Sequence, residues 1–223
     1  RRQRQMCIRD RYNKVLMQRN KLLKQIYYQP SLKDTLAIWN MNLLEYGSKI
    51  IKRREEFVKE ISEIVTRVNE KLTGNKEHIR MLYEPDVTID EFETALQKSQ
   101  EKDLKQCSTN VGPHRDDLCF MNDDIDIRKY GSQGQQRTAA LSLKLSEIEL
   151  VKKITKDTPV LLLDDVLSEL DGSRQNYLLQ SIHSIQTLIT CTGLDEFVEN
   201  HFEANSVFQV VEGSVFHKET GGI

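Results

Sequence analysis

Residues 159–171 read Pro-Val-Leu-Leu-Leu-Asp-Asp-Val-Leu-Ser-Glu-Leu-Asp, and the reading of this stretch decides the fold. The four apolar residues Val160 to Leu163 fit a central strand, expected over 160–165, that is buried on both faces. The strand ends in two adjacent carboxylates, Asp164 and Asp165. A charge at the end of a buried strand is costly without a partner, and neighbouring carboxylates repel each other, so a cation resolves both problems. The competing reading is a strand that stops in acidic turn residues ahead of a helix cap. Ser168-Glu169-Leu170-Asp171 closes the loop that follows, where Asp171 or Ser173 can cap a helix expected over 173–184. A second strand is expected at 186–192, with others at 207–211 and around 215–217.

Upstream, residues 130–138 read Tyr-Gly-Ser-Gln-Gly-Gln-Gln-Arg-Thr and run straight into a helix predicted over 133–155. Gly131 and Gly134 let a ligand approach the backbone, and the N–H groups at a helix start suit an anion. Ser132 adds a hydroxyl donor. Taken alone, the simpler reading is a Gly/Ser loop that caps an amphipathic helix with Leu141, Leu145 and Ile148 on one face. Helices alternating with short apolar strands give the α/β pattern of a mostly parallel sheet.

The part before residue 107 is different in character. Val15, Leu16, Leu22, Leu23 and Ile26 give a helical face from Tyr12 that ends near Pro30, and Ser31 can cap the next helix. Leu32, Leu36, Trp39, Leu43, Tyr46 and Ile50, then after a polar turn Phe57, Ile61, Ile64, Val68 and Leu72, predict a long helix or helix pair packed along one seam. Gly47 marks a kink or break, and Thr73-Gly74-Asn75 ends the run. A strand at 78–83, a helix in 86–104, a turn at Gly112-Pro113 and a β-hairpin of 118–121 with 125–128 follow. Residues 1–11 show no apolar periodicity and read as a frayed or foreign terminus. The expected division is therefore a terminus at 1–11, a helical arm at 12–106 and an α/β lobe at 107–223.

Hydrophobic residues make up 38% and charged residues 30% of the 223, as in a soluble, charge-rich globular protein. No apolar run reaches the roughly 18 residues of a membrane span, and no secretory signal opens the chain. Four widely spaced cysteines without a C-x-x-C pair fit a reducing cytoplasm and argue against a zinc site. The net charge of −2 hides an asymmetry: residues 1–80 carry 19 Lys and Arg against 9 Asp and Glu, and the remainder 13 against 25. A basic first third suits nucleic-acid phosphate, and equally suits well-solvated helices.

Gly/Ser/Gln loop and helix, acid-ended strand and Ser-Glu-Leu-Asp loop, in that order, form a far more specific combination than any one of them. In these elements the chain resembles the ABC-type ATPases of the structural-maintenance-of-chromosomes class, and the RecF family in particular. Segments 12–24 (YNKVLMQRNKLLK), 111–117 (VGPHRDD), 130–138, 139–150 (AALSLKLSEIEL) and 160–171 carry the resemblance, which runs from Tyr12 onward and leaves out 1–11. It implies the C-terminal part of an ABC-type ATPase head, a P-loop NTPase sheet, with a helical arm subdomain. By resemblance, Ser132, Gln133, Gly134 and Gln135 form the signature motif that contacts the γ-phosphate of ATP held by the opposite protomer. Asp164 is then the Mg²⁺ ligand of Walker B, Asp165 the catalytic carboxylate, and Ser168 to Asp171 the D-loop that crosses the dimer interface. Arg137 is either a phosphate or interface contact or a helix-surface salt bridge. His114 and Arg115 are polar contacts near DNA or nucleotide, or, more simply, turn residues that position the hairpin.

The function so implied is a weak ATPase of recombinational repair that forms an ATP-dependent homodimer. It would bind gapped or single-strand/duplex junction DNA, with a RecR-like repair protein as partner, in the cytoplasm and without a membrane. Two departures stand out. Where many ABC ATPases place a switch histidine, the strand here ends Ile189-Thr190-Cys191-Thr192, so Thr192 is expected to sense the γ-phosphate; His183 reads as a surface residue. None of the ten glycines opens a G-x-x-x-x-G-K-[ST] phosphate loop. In this family that loop lies ahead of the arm, so an N-terminal truncation and an inactive isolated chain are expected. Two other readings compete: a non-catalytic interaction protein built on a degenerate lobe, and a chromosome-structure head. The latter has very long coiled-coil arms, whereas the arm here, at about 1.5 Å per helical residue, is short.

Overall fold

The computed structural model describes residues 2–167, 170–191 and 206–218. It divides into two compact units, one of Arg1–Glu70 with Lys76–Glu147 and one of Lys71–Asn75 with Ile148–Ile223.

The first unit opens with α1 (Arg2–Tyr28), a 3-10 turn (Pro30–Thr35) and α2 (Leu36–Thr73). Helix α1 begins well ahead of the first apolar repeat, because Arg2 to Arg11 are mostly good helix formers with no breaker among them. Pro30 opens the 3-10 turn, and no side-chain cap is made there, so Ser31 does not cap α2. Helix α2 is a single helix of 38 residues. The polar turn expected after Ile50 is instead an exposed helical face, laced by Glu45–Lys49 and Arg53–Glu56 pairs. Gly47 does not break it. A Cβ built there would lie 2.5 Å from the ring of Phe92 and 3.2 Å from that of Tyr12, so the glycine admits two aromatic rings against the helix. Gly74, in left-handed conformation (φ 61°), ends the helix as expected.

Two apolar clusters hold this unit together. Leu22, Leu23, Ile26 and Leu36, with Leu32, Trp39 and Leu104 against them, join α1, α2 and α3 (Phe92–Gln106). Ile51, Val87 and Phe92, with Leu44, Tyr83, Ala95 and Val111, close the other end. Between helices lies a fully buried ion pair: the Arg19 guanidinium bonds Asp103 (2.8 Å), Thr109 (2.7 Å) and Asn40 (2.8 Å). Asp103 in turn accepts from the backbone and side chain of Asn110, both at 2.9 Å.

Strands β1 (Ile79–Glu84), β2 (Asp117–Asn122) and β3 (Ile125–Asp126) form an antiparallel sheet in that order. The outer edge of β1 is closed by side chains of α2. Ser62 Oγ donates to the Met81 carbonyl and accepts from its N–H, and Thr66 Oγ1 donates to the Ile79 carbonyl at 2.7 Å. The predicted hairpin is present, but its second arm stops at Asp126, whose carboxylate accepts from the Arg128 N–H and starts the short α4 (Ile127–Tyr130). Helix α5 (Gln133–Thr155) follows with the predicted bounds.

In the second unit β4 (Leu161–Asp164) and β5 (Thr187–Thr190) pair in parallel, connected through α6 (Gly172–Ile182). Leu163 on β4, Leu167 after it, and Leu178, Leu179 and Ile182 on α6 are buried. The opposite face is bare: Leu162 is 72% and its register partner Leu188 56% exposed. The expectation of a strand buried on both faces is thus met on one face only. Strands β6 (Val207–Val211) and β7 (Ser214–Lys218) form a hairpin around Glu212-Gly213, both at positive φ (48° and 80°), the torsions of a two-residue type I′ turn.

Candidate functional site

The loop before α5 is built by reciprocal capping. Ser132 Oγ accepts the Gln135 N–H at 3.2 Å, while Gln135 Oε1 accepts the Ser132 N–H at 2.9 Å, a capping box with serine and glutamine three apart. The Gln136 amide reaches back to the carbonyls of Ile127, Arg128 and Gly131, tying this loop to the end of α4. Ser132, Gln133 and Gly134 are exposed and Gln135 half-buried. The hydroxyl proton of Ser132 is not used by the box, and the N–H groups of Gln133 and Gly134 have no acceptor one turn earlier in the helix. Both readings of the loop are therefore physically compatible: the cap fixes the backbone and leaves donors at a helix start. Arg137 is exposed in the first turn.

Helix α5 is seated by an unusual polar face. Thr138, Ser142 and Ser146, four residues apart and fully buried, donate to the carbonyls of Gly134, Thr138 and Ser142 in turn. These back-bonds satisfy hydroxyls that would otherwise be costly to bury.

In the second unit, Asp164 and Asp165 stand at the end of β4, both exposed. Asp164 lies opposite Thr190 in the strand register, and the Thr190 hydroxyl donates to its Oδ1. The Asp165 N–H donates to both the carbonyl (3.0 Å) and the hydroxyl (3.2 Å) of Thr190. Asp165 itself has φ 50°, the left-handed region that few non-glycine residues adopt and in which Asp is enriched. Hard carboxylate oxygens at a strand end suit Mg²⁺, which takes one or two protein carboxylates and completes its shell with water and phosphate. Asp171 is the N-cap of α6, accepting the Arg174 N–H at 3.0 Å, and its other oxygen pairs with the Arg174 guanidinium at 2.8 Å. Of the residues picked from sequence, Ser168, Glu169 and Thr192 lie outside the described residues. Sequence reasoning passed over Thr190, although strand register alone sets it opposite the first acid.

The segment Gly112 to Asp117 is a knot rather than an open loop. Asp116 accepts from Arg54 (2.6 Å), from the Tyr83 hydroxyl and from the Asp86 N–H (3.1 Å). His114 Nδ1 faces the Tyr12 hydroxyl at 2.8 Å and its Nε2 the Thr109 carbonyl at 3.1 Å. A carbonyl only accepts, so Nε2 carries a proton and donates to Thr109. Burial lowers the His114 pKa from its ordinary value and raises that of Tyr12. These bonds tie the segment ahead of β2 to α1, α2 and β1.

The solvent face of α1 carries Lys14, Met17, Lys21, Lys24 and Tyr28 at steps of three and four, all exposed. Helix α1 contains no acid after Asp10, and none of these lysines pairs with a carboxylate among the described residues. The outer face of α2, by contrast, is balanced by its own ion pairs.

No protein-family model matches the chain. It is 60% identical over 206 residues to a protein of Agathobacter rectalis and 57% identical over 209 residues to one of Lachnospira eligens, both described as DNA replication and repair protein RecF. The matches take in 92% and 93% of this chain, but 57% and 58% of the relatives, so the chain spans under three fifths of their length. Among solved structures it superposes with a TM-score of 0.85, at 35% identity, on one described as the recombination mediator protein RecF-ATP in RecFOR pathway, covering 97% of this chain and 59% of that one. The likeness bears out the expected fold class, part of an α/β ABC-type ATPase with helical elements.

Proposed function

Taking as premise that the chain belongs to the RecF family over the segment it shares with those relatives, we propose that the whole protein is an ATP-dependent DNA-binding protein of recombinational repair. The observation that carries this reading is the acidic strand end, where Asp164 and Asp165 are presented together beside Thr190 on a parallel β4–β5 pair. Asp164 would hold Mg²⁺, which when bound neutralises charge on the nucleotide phosphates. Asp165 would accept a proton from the attacking water and orient it. Ser132, whose hydroxyl proton the capping box does not use, and the N–H groups of Gln133 and Gly134 would donate to the γ-phosphate of ATP held by a second protomer, with Gln135 fixing the loop. Asp171, which holds the start of α6, and Ser168 would lie at the interface between protomers, and Thr192 would sense the γ-phosphate. Two such sites related by a two-fold axis make ATP the link between subunits, and hydrolysis would release the dimer.

The lysine face of α1 supports the DNA-binding part of the proposal. Phosphate contacts would dominate, on gapped or single-strand/duplex junction DNA, with a RecR-like protein as partner. The test is Ser132→Arg in the full-length protein. The expected result is ATP binding by the monomer at the parental level and loss of ATP-driven dimerisation, read by light scattering with and without ATP. Unchanged dimerisation would remove Ser132 from the signature role.

A further inference from the structure

We propose that Thr190 is the positioning residue of the acidic strand end: one hydroxyl sets the Asp164 carboxylate and holds the backbone of Asp165, so that both acids face the same cation and water. The inference rests on the reading of Asp164 as a cation ligand given above.

Hydrogen-bond polarity fixes the arrangement. The Thr190 hydroxyl has a single proton, which it donates to the carboxylate oxygen Asp164 Oδ1. The hydroxyl lone pairs are then left to accept the Asp165 N–H at 3.2 Å, beside the Thr190 carbonyl at 3.0 Å. Register explains why this residue does it: in the parallel pair Asp164 sits opposite Thr190, and both fall on the face with Leu162 and Leu188. The Asp165 torsion of φ 50° needs such a hold, because a left-handed residue at the end of a strand persists only where its surroundings over-determine it. While the Thr190 hydroxyl donates to Asp164, it has no second proton to offer a phosphate. Its part is to orient a ligand, not to contact nucleotide. Second-sphere partners of metal-bound carboxylates typically change metal affinity by about 10–100-fold when removed.

The experiment uses full-length protein with a non-hydrolysable ATP analogue and Mn²⁺ as a spectroscopic probe of the cation. Thr190→Val keeps the shape and removes the hydroxyl, and Thr190→Cys is a second variant of similar size. Both are expected to weaken Mn²⁺ by about 10–100-fold. Metal-free nucleotide affinity and melting temperature should stay at the parental level, and Thr190→Ser should restore Mn²⁺ affinity. Asp164→Asn serves as the reference and should lose Mn²⁺. Parental Mn²⁺ affinity in Thr190→Val and Thr190→Cys, with Asp164→Asn defective, overturns the role of Thr190 and leaves the cation reading standing. A Thr190→Ser protein as weak as Thr190→Val overturns it too. Parental affinity in Asp164→Asn sinks the cation reading and this inference together.

Discussion

Arg19 has no exposed surface and is held by Asp103 and Thr109, residues 84 and 90 positions further along the chain. A buried ion pair need not stabilise a fold more than apolar residues would, but removing one partner strands a charge. Asp103→Ala should therefore destabilise the protein by about 3–5 kcal/mol, measured by denaturant unfolding. Nothing local in the sequence announces this pair: Arg19 interrupts an apolar face, and its partner is legible only in three dimensions. His114 gives a second measurable consequence. Its folded pKa is depressed, so the unfolded chain binds the proton more readily and stability rises with pH. The His114 contribution is fully present above the ordinary histidine pKa of about 6.5 and is lost as the pH falls below it. The melting temperature should drop between pH 8 and 5, and less so in His114→Gln, which can still accept from Tyr12 and donate to Thr109. Thr190 is legible in the sequence only once the register of the two strands is known, since it lies across from Asp164 rather than in the place of a switch residue.

Helix α5 shows what patterning can resolve: its bounds follow from Ser132 and Gln135 three apart and from an uninterrupted run without glycine or proline after Gly134. Helix α2 shows the limit. Gly47 looks like a break because its reason, the rings of Phe92 and Tyr12 pressed against it, comes from segments distant in sequence. The hairpin was legible through Asn122-Asp123-Asp124, yet the switch to helix at Asp126 depends on one carboxylate capping Arg128 rather than continuing the strand. Helix α1 carries its own prediction. Changing Lys14, Lys21 and Lys24 together to Gln should weaken DNA binding at low salt. It should also flatten the dependence of log affinity on log salt by about 0.9 per lost duplex contact, the mark of fewer released counterions. A salt slope equal to the parent's, measured by fluorescence anisotropy, would take the helix out of the DNA interface. These positions are remote from apolar faces, so helix content by circular dichroism should not change.

Across the molecule, charge and apolar surface are unevenly shared. The bare β4–β5 face, with Leu162 and Leu188 side by side, is the kind of patch that drives self-association of a chain studied by itself. Leu162→Thr with Leu188→Thr keeps strand preference while lowering hydrophobicity, and should raise the solubility of this chain with its far-ultraviolet dichroism unchanged. In the sequence the visible seam is the change of pattern near residue 107, from helical arm to α/β lobe, while contacts divide the chain into the two units given above. Their boundary between Glu147 and Ile148 lies within α5, and Lys71–Asn75 joins the second unit at the end of α2. Dissection by gene truncation or protease is thereby constrained. A cut between 147 and 148 would sever the ladder of a continuous helix, leaving up to four N–H and four C=O groups without partners at the new ends. The useful place to divide this chain for separate expression is not where its contacts divide it, but in a loop that no helix threads.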